Sequence, residues 1–389
     1  MQPSAFDSAA AGRSRAVPDA RGLRGGPVLR SLPWAGPDLA LYALGLGWPL
    51  GWTAWLAFHR WDGLGSPEWS GWQNVEDLLR DPLFRLSLGR TGLWLLHAVS
   101  WPVAGGALLA CLAYLLPARL RRWAALLNLL PALLPPVAMA VAWGRLYHPQ
   151  AGALARVMAP VARWAGAPAA WAPPAWLADP NLALHALYLP VGLAALGLVT
   201  ILFLATLERL EPALWEAALV DGAAPAQAVR HVLLPALRPV LPAAILSSGA
   251  WSLQSFGVVL ETTGGGPAHA TLLLSVYTLR MAFDAGWWGR AAAAGILQAV
   301  VAGGAVLLAA GRAARILGGE PVPLGGGGSM PRPAGAHSRA SRWLAGLGAG
   351  AALTPFLLSL PALYWLAVVA FRSRRELLLG PPLTPDPAH

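Results

Sequence analysis

Residues 180–207 read PNLALHALYLPVGLAALGLVTILFLATL, without a single Asp, Glu, Arg or Lys between Asp179 and Glu208. About 20 predominantly apolar residues, wound as a helix, cross the roughly 30 Å hydrocarbon core of a bilayer. This stretch is longer than that. Working outward in both directions, the same scan finds six more charge-free windows of 21 or more residues, at 39–59, 91–118, 123–144, 239–260, 291–311 and 343–371. Most hold Pro or Gly, which membrane helices tolerate better than soluble ones do. Two shorter charge-free stretches fail the test. Residues 164–178 contain Pro168, Pro173 and Pro174, and residues 262–279 soon reach Gly264-Gly265-Gly266-Pro267. The pattern predicts an all-α, polytopic membrane protein.

Composition points the same way. Of the 389 residues 56% are hydrophobic and only 12% charged, about half the roughly 25% charge of a soluble domain. The net charge of +10 comes from arginine alone, because the chain has no lysine. That excludes a phosphate-binding Gly-Lys-Ser/Thr loop and any Schiff-base lysine, so this chain is not itself a P-loop ATPase. The arginines cluster between the windows, which marks them as topology determinants rather than a nucleic-acid footprint. Cys111, the single cysteine, can form neither an intrachain disulfide nor a CxxC site and reads as a small apolar packing residue. No HExxH metal spacing and no GxSxG nucleophile elbow occurs. The sequence implies no metal, no cofactor and no catalytic set.

The positive-inside rule orients the windows. Residues 1–33 carry Arg13, Arg15, Arg21, Arg24 and Arg30 and lack the apolar core of a secretory signal, so they read as a disordered cytoplasmic leader. Span one then leads to an outside loop, 60–90, with four Arg against five acids. Span two returns to Arg119, Arg121 and Arg122, span three exits to 146–179, and span four returns to a loop at about 208–240. Span five exits to 261–290, and span six returns to Arg312 and Arg315. Residues 318–342, Gly- and Pro-rich, form a linker. A seventh span within 343–389 would place Arg372, Arg374 and Arg375 outside, against the rule. Interfacial anchoring accounts for Trp34, Trp61, Trp123, Trp143, Trp343 and Trp365, and lone His97 and His185 read as packed and neutral.

The 211–242 loop, EPALWEAALVDGAAPAQAVRHVLLPALRPVLP, is the most informative. A short helix from Leu210 to Val220 places Leu214 and Ala218 on one face. Asp221-Gly222-Ala223 breaks it, Pro225 suits the first turn of a second helix, and Pro235 is expected to end that helix. Glu216 and Asp221 project near the turn. Such an element fits docking into a groove of a soluble partner, or serves as an ordinary amphipathic loop.

Glu216-Ala217-Ala218-Leu219-Val220-Asp221-Gly222-Ala223, with Leu234-Pro235 downstream, resembles the signature loop of binding-protein-dependent ABC transporter permeases. In that family the loop is a coupling helix seated in a cleft of the ATP-binding subunit. The resemblance extends over about residues 34–312. It takes in Gly71-Trp72-Gln73-Asn74 and Asp81-Pro82-Leu83-Phe84, Leu134-Pro135-Pro136-Val137 with Trp143, and Thr262-Thr263-Gly264-Gly265-Gly266-Pro267 with Ala270-Thr271 and Tyr277. The stretch at Leu134 with Trp143 and the stretch at Thr262 look like the carbohydrate-type subfamily. Two positions depart from the family: Val229 stands where an aromatic is usual, and Ala226 where a Trp is frequent. Contact with the ATPase would then fall to Leu233, Glu216 and Asp221. In the tail, Leu360-Pro361-Ala362-Leu363-Tyr364-Trp365 with Phe371-Arg372-Ser373 resembles the opening of the partner permease. That implies a fusion of two permeases, with a true seventh span as the alternative.

The resemblance implies a six-helix ABC importer type I transmembrane domain over 34–317 plus one additional C-terminal helix, in a bacterial inner membrane with its N-terminus cytoplasmic. It implies a pair of cytoplasmic ATP-binding subunits, a second permease subunit, an extracytoplasmic solute-binding protein and a sugar-like solute. Bilayer and solute are its other contacts, and nucleic acid is not among them. The coupling set is Glu216, Ala217, Ala218, Asp221, Gly222, Ala223, Val229, Leu233 and Pro235. Span five is unusually polar: Ser248, Ser252 and Ser255 fall on one helix face. Polar groups in hydrocarbon face protein or a watery path, so these three with Trp251 and Gln254 form the candidate substrate pathway, small-residue helix packing being the alternative. A rival reading is an ion-coupled secondary transporter working without an ATPase. It calls for intramembrane charges, and the seven windows hold none.

Overall fold

The computed structural model describes residues 36–37, 40–168 and 171–317. The leader 1–33, the linker 318–342 and the C-terminal window 343–371 lie outside the described residues. The chain divides at Trp55–Leu56 into two compact units. In the first, a π-turn over Ala43–Gly47 continues into α1 (Trp48–Leu56). Trp52 and Trp55 stack at 4.7 Å, and the large apolar side chains from Leu41 to Trp55 stand exposed. The helix covers 40–56, shorter than the window that predicted it.

The second unit holds the rest. A two-residue hairpin, β1 (His59–Arg60) against β2 (Glu68–Trp69), precedes α2 (Gln73–Arg80). Then come α3 (Pro82–Tyr114), α4 (Ala118–Leu129), α5 (Pro136–Leu146), α6 (Ala153–Trp164) and α7 (Ala183–Leu207). The 208–240 loop carries α8 (Pro212–Val220), α9 (Pro225–Ala228) and α10 (Leu234–Ala236). Last are α11 (Leu241–Leu253), α12 (Phe256–Thr262), α13 (Leu274–Phe283), α14 (Trp288–Gln298) and α15 (Gly304–Leu317).

Four helices among the described residues are long and apolar enough to cross a membrane: Pro82–Tyr114, Ala183–Leu207, Arg238–Thr262 and Trp288–Ile316. They fall on the predicted windows. The 123–144 window needs correction as a single straight span: Ala118–Leu133 and Pro136–Leu146 meet at 96°. The residue before a proline is pushed out of the α region. Leu134 precedes Pro135, and Pro135 precedes Pro136. Their ψ angles of 130° and 142° turn the chain out of the helix at that point.

Helix α7, apolar all round, is buried along most of its length, as such helices are. It packs on α3 through Trp94 against Tyr188 at 5.6 Å. It meets α4 at Gly197, where a Cβ would be driven into the Asn128 carbonyl. Helix α11 joins α3 through Ser248, whose hydroxyl donates to the Ala98 carbonyl, and through Trp94 Nε1 donating to Ser252 O at 3.3 Å.

At the opposite end from the 208–240 loop, the motif residues explain themselves. Asp81 caps α3 by accepting from Leu83 N at 2.8 Å, with Pro82 in the first turn where its missing N–H costs nothing. Its other oxygen accepts from Tyr277 Oη at 2.6 Å. Burial, then this hydrogen bond and the Asp81 charge, push the Tyr277 phenol above its ordinary range. Asn74 is buried and donates to Ala57 O and His59 O, both at 2.9 Å, and Asp77 pairs with Arg290. In the Thr-Gly-Gly-Gly-Pro loop, the Thr263 and Thr271 hydroxyls lie 2.7 Å apart, and Thr271 donates to Gly266 O at 2.6 Å. The Gly266–Pro267 bond is cis.

Candidate functional site

The loop after α7 folds as two short helices with a tight turn between them. Helix α8 ends in a Schellman arrangement: Gly222 N donates to Leu219 O at 3.1 Å and Ala223 N to Ala218 O at 3.0 Å. Gly222 sits at φ +83°, the left-handed conformation that this cap needs and that glycine adopts without a Cβ penalty. Ala224 N then donates to Gln227 Oε1 at 2.8 Å, and Pro225 opens α9 as expected. The second helix ends at Ala236, one residue past Pro235. A π-turn over Val229–Leu233, with Leu234 N donating to Val229 O, carries the chain into α10. The helix path therefore continues through Pro235 to Ala236, and the looser π register accommodates the proline.

One side of this element is rooted and the other is free. Trp215, Ala228, Leu233, Ala236 and Leu237 are buried with Phe203 and Leu207 of α7 and Tyr114 of α3. Leu214, Ala218 and Val229 pack half-buried against them. Glu216, Ala217, Asp221 and Gly222 are exposed, and Ala223 and Pro235 are half-exposed. Leu233 is fully buried, so it fastens the loop to the bundle rather than offering a side chain to a partner. The most exposed large apolar residue described in the loop is Val220, at 86%, beside the Asp221-Gly222 turn.

Behind the loop lies a cluster that the sequence reading left unconnected. Trp215 stands edge-on to Tyr114 at 6.3 Å. The Arg121 guanidinium lies over the Tyr114 ring at 5.2 Å, donates to Leu116 O at 3.3 Å, and pairs with Glu208 at 3.6 Å. The Arg121 side chain is 11% exposed and that of Glu208 50%. These four residues tie α8 to the ends of α3, α4 and α7. In the sequence Arg121 marks only topology, and nothing in a linear scan joins it to a tryptophan far along the chain.

The span-five residues divide. Ser248, Ser252 and Ser255 are buried: Ser248 bonds to α3, and Ser255 Oγ donates to Trp251 O at 2.8 Å. Trp251 is half-buried, and Gln254 is exposed with its amide donating to Ala250 O at 3.2 Å. None of the five lines the open cleft of about 410 Å³ between α12, α13 and α14, whose polar walls are Ser275, Thr278 and Gln298. His97 is half-buried, its Nδ1 2.8 Å from Leu93 O, and His185 is exposed against it at 5.2 Å.

Residues 103–317, more than half of the chain, match the family described as binding-protein-dependent transport system inner membrane component. The chain belongs to this family. The permease is similar to the probable ABC transporter permease YurN of Bacillus subtilis, at 25% identity over 62% of this chain and 81% of the relative. It is also similar to the diacetylchitobiose uptake system permease NgcF of Streptomyces coelicolor, at 27% identity over 69% and 78%. The fold matches a chain in the crystal structure of a bacterial alginate ABC transporter in complex with an alginate pentasaccharide-bound periplasmic protein. The TM-score is 0.61 at 20% identity, over 75% of this chain and 96% of the other. The permease is a multi-pass inner-membrane subunit of an ABC importer, a transport subunit rather than an enzyme.

Proposed function

We propose that the permease carries a sugar or related polar solute across the membrane, driven by a pair of cytoplasmic ATP-binding subunits that dock on residues 208–240. The observation that carries the reading is the two-sided loop. Glu216, Ala217, Asp221 and Gly222 face out around a glycine-capped turn, while Trp215 and Leu233 root the same element in the helix bundle. A push on the outward face reaches α3, α4 and α7 through Trp215, Tyr114, Arg121 and Glu208. The small half-buried Ala218, Ala223 and Val229 and the π-turn before Pro235 hold the loop's shape. The N-terminus is cytoplasmic in this arrangement, and a second permease subunit and an extracytoplasmic solute-binding protein complete the assembly. The solute class is supported by the saccharide systems in which the relatives work. Of the five span-five candidates, Trp251 and Gln254 are the side chains still open to a solute, while the Ser248 hydroxyl and the Ser252 carbonyl join the helix to α3 and Ser255 bonds within its own helix.

The test uses the assembled transporter. Glu216→Lys reverses charge at the outward face, and Gly222→Pro is incompatible with a positive φ. Each should abolish substrate-stimulated ATP hydrolysis while leaving the permease in the membrane. Normal stimulation in both would sink the docking assignment.

A further inference from the structure

Helix α4, the first limb of the bent pair, has two unlike faces. Arg121, Ala124 and Asn128 are buried and pack toward α7. Arg119, Arg122, Trp123 and Leu126, at i, i+3, i+4 and i+7, share the other face and line a shallow open cleft of about 380 Å³. Trp123 is 56% and Leu126 57% exposed. The charge of Arg121 is engaged by Glu208, but no ion pair among the described residues involves Arg119 or Arg122. Two guanidiniums one turn apart are thus left facing the same opening.

The order of side chains along this face selects the occupant. Arg119 and Arg122 come first, then Trp123, then Leu126 and, past the helix end, Leu133 at 67% exposure. That sequence repeats the depth profile of a leaflet: charged headgroup, amphipathic interface, acyl chain. A soluble acidic partner would satisfy the two arginines but not the apolar half of the face, which runs on into the 123–144 window. A guanidinium also matches the oxygens of a phosphodiester with two parallel hydrogen bonds.

We propose that the Arg119–Arg122–Trp123–Leu126 face binds an anionic glycerophospholipid, its phosphodiester between the two guanidiniums and its chains along Leu126. The arginines that mark topology during insertion thereby hold a lipid in the folded protein. Two basic residues near a leaflet surface give a preference over a zwitterionic lipid of about 25-fold.

Native mass spectrometry of the full-length permease, titrated in mild detergent with phosphatidylglycerol or phosphatidylcholine, reads this directly. Phosphatidylglycerol should be retained with about 25-fold preference. The preference should vanish in Arg119→Gln with Arg122→Gln and survive in Arg315→Gln. A salt titration of the wild type needs no variant, and there the preference should fall as NaCl rises. Equal retention of the two lipids, a preference untouched by the double substitution, or a preference flat in salt would each overturn the proposal. Displacement of the lipid by millimolar inorganic phosphate would also overturn it, marking a soluble-anion site instead. So would loss of co-purifying ATP-binding subunits as the one effect of the double substitution, marking a protein interface.

Discussion

Replacing Trp215 with Ala should detach the coupling loop from the bundle without touching its outward face. Trp215 is 8% exposed, so nearly all of the roughly 150–250 Å² that an aromatic side chain can bury is out of water. At about 25 cal/mol per Å² that is on the order of 4–6 kcal/mol as an upper bound, and core Trp→Ala changes cost about 3–5 kcal/mol. The edge-on contact with Tyr114 is contained in that figure. A local loss of about 4 kcal/mol raises the open population of the loop roughly 10³-fold. Amide exchange read by mass spectrometry over residues 212–236 should therefore accelerate by up to that factor. The Gly222 and Ala223 amides, held by Leu219 O and Ala218 O, should be among those released. Peptides from α7 should keep their protection. In the assembled transporter, substrate-stimulated ATP hydrolysis should fall in parallel, and Trp215→Phe should restore most of both signals. Unchanged exchange across 212–236 in Trp215→Ala would refute the idea that this side chain roots the loop.

Two further substitutions test how the helices are joined. Gly197→Ala drives a Cβ into the Asn128 backbone carbonyl, so α7 and α4 must separate; overpacking costs typically about 1–3 kcal/mol, and a thermal melt in detergent should show a loss at the upper end of that range. Thr91 Oγ1 accepts from Leu274 N at 2.8 Å in a buried setting. Thr91→Val leaves that N–H unpaired at a cost of about 1–3 kcal/mol, while Thr91→Ser should melt close to wild type.

Hydrophobic length is a property of composition, and it was legible without any knowledge of neighbours. The windows at 91–118, 180–207, 239–260 and 291–311 all became long helices. The bend in 123–144 was not read, although its cause was printed in Leu134-Pro135-Pro136. A count of charges is blind to backbone angles. In the loop, Gly222 was legible because only a positive φ closes that cap, and Pro235 marked the helix end to within one residue; the π-turn over Val229–Leu233 was not legible, because it depends on how the loop packs on the bundle. The burial of Leu233 depends on where α3 and α7 end relative to the loop, which no local pattern encodes. The serine face of span five was visible in its spacing; that Ser248 bonds to Ala98 was not. The Trp215–Tyr114–Arg121–Glu208 cluster joins four separate stretches, and each member alone looked like something else.

The approach at Gly197 also limits which parts of the molecule can change shape. Where two main chains touch with no side chains between them, there is no compressible layer to take up sliding. Helices α4 and α7 must then travel together as one block. Among the described residues the regular i to i+4 ladder is already relaxed at the 3₁₀ turns Leu130–Leu133 and Arg238–Val240 and at the π-turns Ala43–Gly47, Val229–Leu233 and Ala299–Gly303. The contact at Gly197 welds α4 to α7, and those relaxed turns are where the ladder resists bending least.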